Sequence, residues 1–238
     1  MSRETQNALL LLVGVSTALI TISGAFTRYV KPGLQPWLLV SAGVLIALAL
    51  VSIARDIRRG GAPDDADDGH RHRSGVVWLL LVPVALLAFV VPPAIGPQTA
   101  RPTVSEVSTD VLRRPFPPLP PGPAPELALP ELLVRIAQDS AGTLDGRTVS
   151  VTGFTIDDGG RTDLGRVVIL CCAADAQLAR IRLGGPAAGA AADLPDGAWV
   201  RLEGSVPAGQ GVPSRRTVPV LEVSRVQRIE PPANTYAY

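Results

Sequence analysis

The sequence predicts a two-part architecture. An α-helical membrane anchor of three transmembrane helices comes first, and a small all-β domain follows, an OB-like five-stranded barrel with one short helix. Three observations predict it. The amino-terminal part holds three long runs without a charged side chain, a Pro-rich segment follows, and the remainder alternates short apolar stretches with glycine-bearing turns. The expected boundaries are 1–96 for the anchor, 97–125 for the linker and 126–238 for the soluble domain.

Composition supports the membrane reading. Apolar residues make up 47% of the chain and mean hydropathy is +0.28, alongside 23 prolines and 23 glycines. That balance favours membrane segments over one large soluble core. A net charge of +1 and an aromatic share of 4% leave no electrostatic footprint and no stacking platform for nucleic acid.

The first expected span covers about 8–27, within an uncharged run that starts at Asn7 and is long enough for a hydrocarbon core. A cleaved signal peptide is the competing reading, because Arg3 precedes the run and small residues end it. Two further runs make a retained helix the simpler account. The second span, about 33–54, opens with Pro36 in its first turn and Trp37 at the interface. The third, about 75–95, carries Trp78 near its start, a kink at Pro83 and a stop at Pro92 and Pro93.

No span contains Asp, Glu, Lys, Arg or His. Ion and proton routes through a bilayer are marked by ionisable groups facing a bundle interior, so this chain is a poor candidate for the transporting body. The spans do carry small residues at helical spacing: Gly14 with Ala18, Thr17 with Thr21 and Ala25, and Gly43 with Ala47. Such rows allow close helix approach in lipid, either within the chain or against a partner.

Arginine counting sets the expected orientation. Arg3, Arg55, Arg58, Arg59, Arg71 and Arg73 lie on one side; Arg28, Lys31 and Arg101, with Arg113 and Arg114 further off, lie on the other. The positive-inside rule then predicts a multi-pass protein of the cell membrane, with its amino terminus and loop 55–73 cytoplasmic and the carboxyl-terminal domain extracytoplasmic. Loop 55–73 sets Asp64, Asp65, Asp67 and Asp68 beside both histidines of the chain, His70 and His72. It reads either as a weak trap for divalent metal or as a solvated tether. The linker 97–125 is an extended polyproline-type spacer.

The soluble domain opens with an amphipathic helix over 130–138, with Leu129, Leu132, Leu133 and Ile136 on one side. Five strands follow, over 147–156, 166–172, 179–183, 199–206 and 218–228. Gly153 and Gly204 fall where a tightly curved sheet must bend. The domain has no histidine, no phosphate-binding glycine loop and no nucleophile elbow, so no enzyme is expected. Asp157, Asp158 and Asp163 read as turn residues rather than as acid/base catalysts.

The segment RVVILCCAADA, 166–176, holds Cys171 and Cys172, the only cysteines, with Asp175 close behind. On a continuing strand the two sulfurs point to opposite faces. If a turn begins there, Cys171, Cys172 and Asp175 converge. The pair reads as core filler, as soft ligands for a transition metal such as zinc with Asp175 as a third donor, or as a redox couple. The zinc-knuckle and thioredoxin spacings are both absent.

The string CCAADA, together with SGAFTRYVKPGLQPWLLVSAG, VVWLLLVPVALL, DGAWVRLEGSV and the tail PPANTYAY, resembles the YcgQ-like permease-subunit family of bacterial membrane proteins. The resemblance spans most of the chain and implies an anchored soluble domain acting beside a separate multi-helix permease. It further implies service in metal homeostasis, with zinc as the ion and Cys171, Cys172 and Asp175 as functional residues. Having only His70 and His72 in its loop, this chain departs from the richer tract expected there. The leading expectation is therefore a non-enzymatic accessory subunit, with the lipid bilayer, a permease and a divalent metal ion as partners and no nucleic acid. The alternatives are a thiol-redox or envelope-stress protein and a purely structural interaction module.

Overall fold

Helix α1 runs over Arg3–Ile22 and α2 over Gln35–Arg58. In this computed structural model the described residues are 3–58, 95–96, 114–210 and 218–238. The chain divides into two units, 1–93 and 94–238.

In the first unit, Gly24 at φ +78° takes a left-handed conformation that L side chains rarely adopt. It ends α1 at a short 3₁₀ turn, Ala25–Arg28. A second 3₁₀ turn, Pro32–Leu34, leads into α2. The two helices pack against each other. A Cβ on Gly14 would lie 2.8 Å from Ile46 Cγ1, and Ala42 and Ala49 are fully covered. Asn7 Nδ2 donates to Asp56 Oδ2 at 3.1 Å near the other end of the pair. Polar Thr21 is buried but satisfied, its hydroxyl donating to the Thr17 carbonyl at 2.7 Å. Gly14 thus serves packing within the chain, whereas a Cβ on Gly43 would meet nothing within 4 Å.

The expectation of three transmembrane helices is corrected. Among the described residues one helical stretch, Pro32–Arg58, is long and apolar enough to cross a membrane, with a hydropathy of 2.5. The apolar part of α1 is Gln6–Ile22 and falls short of the about 20 residues a bilayer core requires, because Gly24 breaks the helix before Thr27. The expected third span, about 75–95, lies outside the described residues apart from Ile95. So do most of loop 55–73 and both of its histidines, His70 and His72.

Among its described residues the second unit has seven strands, not five: β1 (Glu126–Leu127), β2 (Thr148–Asp157), β3 (Thr162–Val168), β4 (Gln177–Gly184), β5 (Trp199–Ser205), β6 (Val220–Arg228) and β7 (Tyr236–Ala237). This mixed sheet has the order β1-β2-β5-β6-β4-β3-β7, with a further pairing of β2 to β3. Three pairings are parallel: β1 with β2, β3 with β7 and β4 with β6. The expected OB-like five-stranded barrel is thereby corrected to a seven-stranded mixed sheet; β1 and β7 escape a sequence reading because two-residue strands leave no periodic trace in it. Gly204 lies at the register shift between β5 and β6, where a Cβ would come within 2.5 Å of the Glu222 carbonyl oxygen.

Among the described residues two helices cover the sheet, α3 (Leu129–Gln138) and α4 (Ala188–Ala192). Pro130 suits the first turn of α3, and Leu129, Leu132 and Leu133 point into a core shared with Val149, Val151, Leu164, Ile181, Leu202 and Leu221. A smaller cluster gathers Phe154, Val167, Ile169, Leu178, Trp199 and Tyr236, with Phe154 and Trp199 edge to face at a centroid distance of 5.6 Å. Part of the Pro-rich stretch is fastened to this unit. Arg114 donates its backbone N–H to the Gln138 carbonyl, Leu119 is buried, and the Arg135 guanidinium lies 5.2 Å over the Phe116 ring.

Candidate functional site

β3 stops at Val168, four residues short of the expected strand end at Cys172. It also starts earlier, at Thr162. The cause of the early stop is the side chain of Asp175. Its Oδ1 accepts the Leu170 N–H at 2.7 Å, and its Oδ2 accepts the N–H groups of Cys171 at 2.8 Å and Cys172 at 3.2 Å. These three donors would otherwise require partners on a neighbouring strand, so one carboxylate substitutes for a sheet edge.

The turn that follows is a 3₁₀ segment, Ala173–Asp175, in which Asp175 donates its own N–H to the Cys172 carbonyl at 3.0 Å. Cys172 occupies the cap position with extended backbone, φ −153° and ψ 172°, and its side chain accepts from the backbone at Asp175. This is the reciprocal capping-box arrangement, with a cysteine where serine or threonine is usual. The turn replaces the opposite-face placement of the two sulfurs that a continued strand would impose. Cys171 is exposed and Cys172 half-buried, and both are free thiols.

Cys171, Cys172 and Asp175 therefore converge, each offering one ligand atom, and these atoms all lie within 4.8 Å of one another. Sulfurs bound to one tetrahedral zinc at about 2.3 Å each stand roughly 3.8 Å apart, so small rotamer changes close the site. Two soft sulfurs and one carboxylate oxygen suit zinc better than magnesium or calcium. Three backbone N–H groups orient the carboxylate in the way that outer-shell partners orient metal ligands. With three donors, a tetrahedral ion keeps a fourth position for water or an incoming ligand.

The electrostatics follow from one contact. Cys171 Sγ donates to Asp175 Oδ2 at 2.8 Å. That bond to the carboxylate, with a second to Cys172, pushes the Cys171 thiol up to about 11. The same bond, supported by the three backbone N–H groups, holds the Asp175 carboxyl down to about 2. At neutral pH the pair is a neutral thiol on an ionised carboxylate. A metal ion entering here displaces the thiol proton.

Residues 131–238 match the DUF1980 C-terminal domain. Helix α3 from Glu131 onward, the strands β2 to β7 and the cysteine turn all fall inside this DUF1980 domain. No curated protein and no solved structure matches the chain.

The other residues weighed from sequence fall elsewhere. His70 and His72 lie outside the described residues. Asp163, expected as a turn residue, is completely buried on β3, where Arg180 donates to Oδ2 and Arg182 Nε stands 3.6 Å from Oδ1. Arg180 also pairs with Asp158, and Asp157 Oδ1 accepts the Gly160 N–H at 3.1 Å. These carboxylates hold strands and turns together. Leu170, 67% exposed beside the cysteines, was missed in the sequence because it ends an apolar run that reads as buried. The signal that would have located the turn is the three-residue spacing of Cys172 and Asp175, the cap-to-third-position spacing of a capping box.

Proposed function

We propose that the chain is a non-enzymatic, membrane-anchored accessory subunit of a permease, and that its DUF1980 domain receives and passes on zinc through Cys171, Cys172 and Asp175. The observation that carries this reading is the convergence of two thiols and one carboxylate within 4.8 Å on an exposed turn. A structural zinc site is closed by four protein ligands, whereas three donors leave a position through which an acceptor can take the ion. Transfer therefore fits this geometry better than storage.

Anchoring falls to α2, whose last turn carries Arg55 and Arg58 and is read as its cytoplasmic end. The absence of ionisable groups from the apolar runs supports a companion permease as the conducting body, with the bilayer as the shared medium.

The test is calorimetric titration of zinc into the full chain, wild type against Cys171→Ser plus Cys172→Ser. The reading expects one ion per wild-type chain and loss of that binding in the double variant. Equal binding by both proteins would sink it.

A further inference from the structure

In the second unit, residues of β1 and β7 are among those lining a cavity of about 300 Å³. Leu127, Ile229, Pro232 and Tyr236 supply apolar wall, and Glu126, Thr152, Arg166 and Arg201 supply the polar groups. A few convergent polar groups in a mostly apolar cavity of this size is the usual composition of a small-molecule site.

The polar groups come from different strands. Arg166, on β3, stacks its guanidinium 4.7 Å from the centroid of the Trp199 ring. Its Nη2 donates to the carbonyls of Asn234 at 2.8 Å and Tyr236 at 3.2 Å. Its Nη1 is buried with no hydrogen-bond partner among the described residues. Burial works against this charge, while Glu126 and Tyr238 favour it. A buried cationic N–H without an acceptor is costly and marks a place where an acceptor belongs.

Glu126, on β1, already holds a carboxylate at the cavity, but loosely. Thr152 Oγ1 donates to its Oε1 at 3.4 Å, and Arg201 Nη2 stands 4.0 Å from its Oε2. Both Glu126 and Arg201 are substantially exposed, so neither is locked in this arrangement. Among the residues lining the cavity two arginines face one glutamate, an excess that suits a monoanion better than a dianion such as phosphate.

We propose that this cavity binds an organic monocarboxylate, its carboxylate between Arg166 and Arg201 and its apolar body along Leu127, Ile229 and Pro232. The site lies apart from the cysteine turn and stands whether or not that turn binds metal.

The experiment is calorimetric titration of the full-length protein in detergent micelles with hexanoate, with hexanol as a neutral body of the same length and inorganic phosphate as an anion without one. Wild type, Arg201→Gln and Glu126→Gln are compared, since both side chains face solvent and their loss leaves the core intact. Saturable hexanoate binding is expected in the wild type. It should be roughly tenfold weaker in Arg201→Gln, the loss expected for a hydrogen bond to a charged group. In Glu126→Gln hexanoate should bind more tightly and phosphate should gain most. The proposal is overturned if the wild type does not bind hexanoate, if Arg201→Gln binds it equally, or if hexanol or phosphate binds the wild type as tightly.

Discussion

A single oxygen of Asp175, Oδ2, accepts both the backbone N–H and the thiol of Cys171, each at 2.8 Å. The carboxylate therefore shapes the turn and sets the protonation of its first cysteine with the same atom.

Alkylation of Cys171 should report that coupling. With the thiol pushed up to about 11, the iodoacetamide rate at this position should stay low at neutral pH and rise toward pH 11. Removing the anion stabilises the thiolate relative to the thiol, so Asp175→Asn should bring the midpoint back toward the ordinary value of 9.0. Mass-resolved alkylation across pH separates Cys171 from Cys172.

The same carboxylate should make the turn acid-sensitive. Its pKa is depressed from 3.8 to about 2, so its contribution to order is fully present above pH 3.8 and is lost as pH falls through 2. Protection of the Leu170, Cys171 and Cys172 amides relative to intrinsic exchange should be full at neutral pH and fall over that window. In Asp175→Ala the three amides should exchange several-fold faster than in the wild type above pH 3.8, and the difference should close below pH 2, while β5 keeps its protection.

Buried Asp163 predicts a different outcome. Removing it leaves Arg180 and Arg182 with their shared counter-charge gone, and breaking such a buried arrangement typically costs about 3–5 kcal/mol. Asp163→Ala should therefore lower the urea midpoint strongly. Asp157→Ala, which removes one turn contact to Gly160, should shift it far less.

Core truncation supplies the packing reference. Leu202 on β5 is fully buried within the main cluster, and Leu202→Ala should cost about 2–5 kcal/mol in chemical denaturation. Leu170→Ala, at an exposed side chain, should leave the midpoint nearly unchanged.

These contrasts also show what the sequence made legible. The alternation of Val200 and Leu202 with Arg201 and Glu203 marks β5 almost to the residue, because half-buried strands write their period into side chains. The start of β3 was hidden, since Asp163 reads as a turn residue until Arg180 and Arg182 are seen across the ladder. β1 and β7 were invisible for a related reason: their pairing is a property of backbone and register. The failure of the first expected span turns on Gly24, whose positive φ interrupts an apolar run that composition alone reads as continuous. Convergence of Cys171, Cys172 and Asp175 was one of two outcomes open from sequence, and the hydrogen bonds of Asp175 decide between them.

X-ray absorption at the zinc edge of the loaded full-length protein tests the central claim most directly. The account predicts two sulfur scatterers at about 2.3 Å with oxygen or nitrogen completing the shell, and loss of both sulfurs in Cys171→Ser plus Cys172→Ser. A wild-type spectrum with oxygen and nitrogen scatterers alone would contradict it.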